Sequence, residues 1–339
     1  MSSPKCMQAR SSTKGDPLLP PPPGAPYYDS AMDTWVLSRH ADVSTALREP
    51  RLRPTGPRSD KRSHGEDPII QARVRAETLA ALSPAKLSAW QAEVRRLLCV
   101  LVDELPRDRP VDIVHELAEP GCLAIAVLVT GADPLKAQHL GDLARKVSAG
   151  TSDAKAANAE LAQYFQNAPI PMSGPAFVAL SQTLPRFLAN AWLALLRHPA
   201  ELARLDTDAN LLPKAIEELL RYAGVAQKLS RQAGVDIELA GIRIPEGERL
   251  RLMLASANRD PTQFPEPNRL DLTRNAAGHV GLGAGMHSCA GGALVRMAAG
   301  VATGVFVENI AAADIRNPVE WRGGSGFRSA ASLYVLLRR

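Results

Sequence analysis

The sequence has few aromatic residues, which make up 4% of its 339 residues, and it has four cysteines. These are Cys6, Cys99, Cys122 and Cys289, which are too far apart to form a CxxC pair or a disulfide framework. Cys99 and Cys122 lie in apolar runs typical of a helical core, and Cys6 lies in a polar N-terminal segment. This cysteine usage predicts a protein of the reducing cytoplasm.

Long hydrophobic runs are also lacking. The longest apolar stretch, residues 122–132, is too short to span a bilayer, which needs about 20 apolar residues. The first residues include Lys5, Arg10 and Lys14 but no apolar segment, so they do not form a secretory signal. We therefore expect no membrane anchor and a cytoplasmic location.

The charges are not concentrated anywhere along the chain. Forty Lys and Arg residues against 35 Asp and Glu residues give a net charge of +5. Because the basic residues are dispersed, nucleic-acid binding is not implied. A mildly basic surface would suit an acidic electron-transfer protein, although an ordinary solvated surface explains it equally well.

The abundance of alanine, leucine and arginine favours helices. Residues 1–25 are polar and then proline-rich, which predicts a disordered tail, and residues 26–339 are predicted to form a single domain. Helical patterns cover residues 41–48, 69–104 with a break at Ser83-Pro84, 111–129, 177–197, 213–222 and the run from Cys289 to about Val307. Alternating patterns predict strands at 34–37, 236–239, 242–245, 249–254 and 333–336, and residues 52–67 and 167–174 are predicted loops. The prediction is a mainly α fold with a small β portion.

The most informative segment is residues 282–291, Leu-Gly-Ala-Gly-Met-His-Ser-Cys-Ala-Gly. Gly283 and Gly285 allow positive φ or a close approach to a flat ring, and Gly291 keeps the following turn small. A helix starting just after Cys289 would stabilise a thiolate with its positive end. A buried structural cysteine and a glycine-rich phosphate loop are the alternatives, but the helical run that follows does not fit a dinucleotide-binding βαβ unit.

Residues 279–296 resemble the haem-ligand loop of cytochrome P450s, whose pattern is Phe-Gly-x-Gly-x-His-x-Cys-x-Gly. Leu282 replaces the phenylalanine, and every other fixed position matches. The resemblance implies the cytochrome P450 fold, haem b (iron protoporphyrin IX) as cofactor and Cys289 as the iron ligand. It also implies that Gly283, Gly285 and Gly291 lie against the ring.

Two further motifs occur in the order expected for this family. Glu218 and Arg221 match its Glu-x-x-Arg helix, and residues 258–271 match its Asn-Arg-Asp-Pro loop, after which Arg274 takes the place of the loop arginine. The resemblance implies a buried structural charge network of Glu218, Arg221 and Arg274, although a pair three residues apart on a helix is often only a surface pair.

The resemblance also suggests which side chains hold the haem propionates. Arg75, Arg231 and His287 match the family's donors, and an arginine fork suits carboxylates. Gln71 stands where the family often has histidine, and it can donate a hydrogen bond without charge.

The chain departs from the family at the oxygen-activating helix, whose usual pattern is Ala/Gly-Gly-x-Asp/Glu-Thr. The matching stretch, residues 179–183, keeps Thr183 but has Gln182 in place of the acid and Leu180 in place of the glycine. Thr183 and Gln182 are thus the candidate catalytic residues, with proton relay depending on Thr183 and water. Ala179, Leu180, Val225 and Ala226 are the candidate substrate-pocket residues.

The resemblance predicts a haem-thiolate monooxygenase that inserts one oxygen atom from dioxygen into a small organic compound of secondary metabolism. No flavin or ferredoxin module follows the haem motif in this sequence, so we expect a separate ferredoxin and ferredoxin reductase. Segments 52–69 and 131–171 are short for the family, which favours an open pocket, a large or carrier-bound substrate, or a partner that completes the cover. Peroxide-driven or non-hydroxylating chemistry and a non-catalytic accessory role are the alternatives.

Overall fold

The computed structural model describes residues 19–55, 68–168, 173–310, 313–323 and 326–337. Most of the predicted tail lies outside these ranges, and the described part is tied to the body where the Gly24 N–H donates to Ser38 Oγ at 2.9 Å. The division into a tail and a single domain stays a prediction.

Helices dominate the described ranges, as predicted. They are α1 (His40–Arg48), α2 (Pro68–Ala81), α3 (Pro84–Asp103), α4 (Glu119–Thr130), α5 (Ala137–Ala149), α6 (Ala154–Tyr164), α7 (Ser173–Val178), α8 (Leu184–Arg197), α9 (Pro199–Thr207), α10 (Leu212–Tyr222), α11 (Leu254–Ala257) and α12 (Gly292–Ile310). The predicted break between α2 and α3 is confirmed, because the Ser83 side chain caps α3 and Pro84 occupies its first position.

The β portion is small. Its strands are β1 (Tyr27–Asp29), β2 (Thr34–Leu37), β3 (Leu52–Pro54), β4 (Val111–Asp112), β5 (Leu229–Ala233), β6 (Ile237–Leu239), β7 (Ile242–Ile244), β8 (Arg249–Leu252), β9 (Asp314–Ile315), β10 (Trp321–Gly323), β11 (Arg328–Ala330) and β12 (Tyr334–Leu336). The largest sheet has the order β1-β2-β8-β5-β3, in which β2 and β8 run parallel with Trp35 opposite Leu250 and the other neighbours run antiparallel. A second sheet has the order β4-β12-β9, and β6-β7 and β10-β11 form separate pairs.

Three sequence predictions about elements need correction. Residues 111–129 do not form one helix, because Val111 and Asp112 pair with β12 and only then does the chain turn into α4. Residues 52–54, predicted as loop, form the edge strand β3 against β5. Helices α5 and α6, which lie in the shortened segment before α7, have no counterpart among the predicted elements.

Two π-helical turns interrupt the helical body, at Val114–Ala118 and Ala179–Thr183. Each ends two residues before a proline, Pro120 or Pro185, which occupies the second position of the next helix. A proline ring clashes with the carbonyl four residues earlier and offers it no N–H. The wider turn, in which an N–H reaches the carbonyl five residues back, accommodates the ring without ending the helix.

Two hydrophobic cores meet near the glycine-rich segment. The larger core joins α3, α4, α5, α8, α10 and α12, and the smaller one lies between α1 and the five-stranded sheet. Leu282 packs against the first core, whereas Val280 and Ala284 belong to the second. The loop that carries Cys289 is therefore fixed from both sides.

By length and composition, α12 could cross a membrane. Half of its apolar window is buried inside the body, where it packs against α3, α8 and α10. Core helices commonly have this composition.

Candidate active site around Cys289

The loop before Cys289 requires its glycines. Gly283 and Gly285 have φ of 71° and 70°, a conformation that side chains disfavour. A Cβ on Gly285 would also lie 2.8 Å from the Leu47 carbonyl oxygen, so this residue packs directly on the end of α1. The Cys289 N–H donates to the Leu282 carbonyl at 2.8 Å, which closes the loop just before α12 begins at Gly292. A Cβ on Gly291 would lie 3.9 Å from Cys289 Sγ, in ordinary contact.

The Cys289 thiol remains accessible, but the protein around it affects its acidity. Desolvation raises its pKa, while the Gly291 N–H and the guanidinium groups of Arg75 and Arg296 lower it. The net direction is upward, because burial outweighs these stabilising groups. A bound metal ion deprotonates a coordinating thiol outright, and iron would supply the missing stabilisation.

Two arginines and a histidine from separate elements converge beside this loop. Arg75 of α2 donates to the Ser288 carbonyl at 2.6 Å and to Ser288 Oγ at 2.8 Å. Arg231 of β5 is 4% exposed, and its Nε has no hydrogen-bond partner. Burial lowers the pKa of His287, and the nearby charges of Arg231 and Arg75 lower it further.

This cluster has the features of an anion site. No carboxylate in the described part of the chain pairs with Arg75 or Arg231, and burial lowers the pKa of Arg231. A buried guanidinium with an unpaired N–H is costly unless an anion meets it. The two propionates of haem would satisfy Arg75, Arg231 and His287, so the residues present fit that cofactor. The side chain of Gln71 lies outside the described residues.

The predicted charge network is assembled behind the site. Arg221 donates from Nε and Nη2 to the two oxygens of Glu218 at 2.6 and 2.8 Å, and Arg274 Nε donates to Glu218 Oε1 at 3.1 Å. Glu218 is 0% exposed. Arg221 also donates to the carbonyls of Asn258 and Pro267, at 2.7 and 2.9 Å. The network therefore fastens α10 to the loop that leads toward Cys289.

The second candidate region is the π-helical turn between α7 and α8. Ala179 is exposed, and Gln182 and Thr183 are half-buried. Gln182 Nε2 donates over a long 3.4 Å to Ser181 Oγ, which donates in turn to the Phe177 carbonyl. Among the described residues, the Thr183 hydroxyl has no hydrogen-bond partner, so it is free to bind a water or substrate group.

Leu180, a predicted pocket residue, is buried. Its side chain is 3% exposed and packs in the larger hydrophobic core, to which Val225 also belongs. Its place in a substrate pocket stays a prediction.

The remaining pocket candidates lie beside a residue that the sequence analysis did not identify. Val225 is buried, and Ala226 pairs with Phe327 in an isolated bridge. Phe327 is 43% exposed, which is unusual for a phenylalanine next to a core. Asn190 of α8 holds the following strand β11 in place, since it donates to the Arg328 carbonyl and accepts from the Ala330 N–H. The sequence signal that could have identified Phe327 is an aromatic residue in a glycine-rich stretch, residues 323–327.

Comparison with known proteins connects this geometry to one family. A family model for cytochrome P450 matches residues 207–312. Cytochrome P450 107B1 of Saccharopolyspora erythraea is 29% identical over 333 residues, which cover 82% of this chain and 82% of that protein.

Solved structures show the same relationship. The LnmA cytochrome P450 hydroxylase of the leinamycin biosynthetic pathway of Streptomyces atroolivaceus is 28% identical, with a TM-score of 0.77 over 89% of this chain and 90% of that chain. CYP109B1 of Bacillus subtilis shares the fold with a TM-score of 0.81 at 21% identity, over 91% of this chain and 95% of that one. The predicted fold is confirmed, and the family match, the relatives and the solved structures together support a bacterial-type cytochrome P450, a haem-dependent oxidoreductase.

Proposed function

We propose that the protein is a haem-thiolate monooxygenase that transfers one oxygen atom from dioxygen to an organic substrate of secondary metabolism. A separate ferredoxin and ferredoxin reductase supply its electrons. The observation that carries this proposal is the convergence of Arg75, Arg231 and His287 beside the Cys289 loop, with no carboxylate partner for either arginine among the described residues. Similarity to a hydroxylase of the leinamycin pathway supports the substrate class.

Each residue group has a distinct task in this proposal. Cys289 would ligate the iron of haem b, and Arg75, Arg231 and His287 would hold its propionates. The cofactor, when bound, supplies the dioxygen chemistry. Thr183, whose hydroxyl has no hydrogen-bond partner among the described residues, would hold a water or a proton-donating group, and Phe327 would form an apolar wall of the substrate pocket.

The short segment between α4 and α7, which we call the lid, supports a substrate that is large or bound to a carrier. Between α4 and α7 the described chain has two lid helices, α5 and α6, and the face of the π-helical turn at Ala179 is exposed. A pocket covered this sparsely suits a ligand that extends beyond it.

The first test is the difference spectrum of the dithionite-reduced, haem-loaded protein with carbon monoxide. A red-shifted Soret band is expected for the native protein, and its loss is expected in Cys289→Ala because no thiolate remains. Cys122→Ala is the matched control, since Cys122 is buried in α4 and the pKa of its thiol is raised well above the usual value by burial. An unchanged band in Cys289→Ala would refute the ligand assignment.

Peroxide-driven chemistry is the second candidate function, and one observation favours it. The helix from Ser173 to Arg197, including its π-helical turn, contains no Asp or Glu, so no carboxylate of this helix can relay protons to bound dioxygen. Hydrogen peroxide already carries the two protons that such a relay delivers and the two electrons that the ferredoxin would supply.

Product formation with hydrogen peroxide alone, compared with dioxygen plus ferredoxin and reductase, separates the two functions. In the dioxygen reaction, Gln182→Glu is expected to increase the product formed per electron consumed, because it restores an acid next to Thr183. If only peroxide gives product, and Gln182→Glu does not change this, the monooxygenase proposal fails.

A further inference from the structure

Three residues outside the predicted site form a hydrogen-bonded chain behind Cys289. Arg296 of α12 donates from Nε and Nη2 to the two oxygens of Glu217, at 2.5 and 3.0 Å. His279 Nε2 lies 3.1 Å from Glu217 Oε2, and the Gly281 N–H donates to His279 Nδ1 at 3.1 Å. Because Nδ1 accepts that bond, the ring proton lies on Nε2 and points at Glu217.

The position of Arg296 places its charge near the sulfur. Its third nitrogen, Nη1, lies over Gly292, where an added Cβ would come within 3.1 Å of it. Gly292 is the first residue of α12, and its N–H donates to the Cys289 carbonyl. The guanidinium accordingly lowers the pKa of the Cys289 thiol, although burial outweighs this effect.

Glu217 opposes that charge at short range. Burial tends to raise the pKa of its carboxyl, but hydrogen bonds from His279 and Arg296 prevail and lower it to about 2. Glu217 is thus an anion near neutral pH. The two charges form one unit, in which Arg296 is the nearer to Cys289 and Glu217 lies beyond it.

We propose that Arg296 and Glu217 together set the reduction potential of the haem iron through Cys289, with Arg296 raising the potential and Glu217 limiting the increase. The inference rests on the proposed haem ligation. Reduction adds one negative charge to the iron–thiolate unit, so a nearby cation favours the reduced form and a nearby anion disfavours it. Both are positioning residues, since neither contacts a reacting atom.

The test is a spectroelectrochemical titration of the haem-loaded, full-length protein. Arg296→Gln should shift the midpoint potential in the negative direction and Glu217→Gln in the positive direction, while the double variant should lie between them. A purely structural role would move both single variants the same way. Shifts of the same sign, or no shift in either variant, would overturn the proposal.

The matched control is Arg95→Gln. Arg95 of α3 makes the same two-bond pair with Glu308 of α12, at 3.1 and 2.6 Å, but its charge is not among those that act on Cys289. Its loss should leave the potential unchanged, and a shift as large as that of Arg296→Gln would overturn the proposal.

Arg296→Lys keeps the charge without the planar fork, so its potential should stay closer to the native value than that of Arg296→Gln. If Arg296→Gln does not fold, Glu217→Gln and Arg296→Lys still test the proposal. Of these two variants, only Glu217→Gln should show a clear positive shift of the midpoint potential. A carbon monoxide spectrum is recorded for each variant. If the variants keep the red-shifted Soret band but their midpoint potentials do not differ, this inference alone fails. If the native protein lacks that band, the proposed function fails as well.

Discussion

Replacing Glu218 with glutamine tests the charge network at its most buried point. The native carboxylate is 0% exposed and accepts hydrogen bonds from Arg221 and Arg274. Glutamine has nearly the same shape, so packing is preserved. It has no charge, however, and its NH₂ group must face a guanidinium N–H.

The expected loss follows from the charges left behind. Removing one partner of a buried ion pair costs about 3–5 kcal/mol, because the remaining charge stays buried without compensation. Arg221 keeps its bonds to the carbonyls of Asn258 and Pro267, which places the loss toward the lower end. With an unfolding entropy of about 2.1 cal/mol/K per residue, this lowers the Tm of a chain of this length by roughly 4–7 °C.

Thermal unfolding followed by circular dichroism measures the effect. The matched control is Glu93→Gln, because Glu93 also pairs with an arginine three residues later on a helix, at 2.5 Å. That pair is on the surface, with 61% of the Arg96 side chain and 40% of the Glu93 side chain exposed, so its loss should leave the Tm unchanged. If Glu218→Gln unfolds at the same temperature as Glu93→Gln, the network does not stabilise the fold as argued.

Three further predictions concern other parts of the molecule. Gly285→Ala should reduce the amount of haem bound per protein, measured by Soret absorbance, because the new Cβ would clash with the Leu47 carbonyl. The control is Gly150→Ala, which has a similar φ but open space around the added Cβ, and it should bind haem normally. Since the pKa of Glu217 is lowered to about 2 from 4.5, its stabilising contribution is complete above pH 4.5 and lost as the pH falls toward 2. The difference in urea stability between native protein and Glu217→Gln should therefore shrink over that range, and a constant difference would contradict it. Asn190→Ala leaves the backbone groups of β11 unpaired, so it should lower the free energy of unfolding in urea by about 1–3 kcal/mol; an unchanged value would show that water replaces the amide.

The part of the site that could be predicted from the sequence is the part built from local segments. The Cys289 loop needs glycine at two positions with positive φ and a helix immediately afterwards, and both requirements are visible in ten consecutive residues. The pair of Glu218 and Arg221 is similarly local, because three residues on a helix place them on one face.

Residues that act through contacts distant in sequence could not be found this way. Arg296 and Glu217 are 79 residues apart, and no spacing rule connects them. The strand Val111–Asp112 exists because it pairs with β12 at the far end of the chain, so its helical pattern was misleading. Pairing across the fold outweighed local preference in each case.

The π-helical turn at Ala179–Thr183 is a further feature that the sequence does not specify by itself. Pro185 gave the signal for a distortion, but a proline can equally cause a kink or a break. Its effect on neighbouring side chains depends on which of these the surrounding packing permits.

The two sides of the proposed haem differ in how closely they follow the family. On the side of Cys289, the ligand, the glycines, the propionate donors and the charge network are all present. On the side of Thr183, the acid is missing and the lid is short. Since iron ligation and electron entry depend on the first side, whereas oxygen activation and substrate choice depend on the second, we expect reduction and carbon monoxide binding to be ordinary. Any unusual chemistry should then be sensitive to Gln182, and insensitive to changes confined to the Cys289 side.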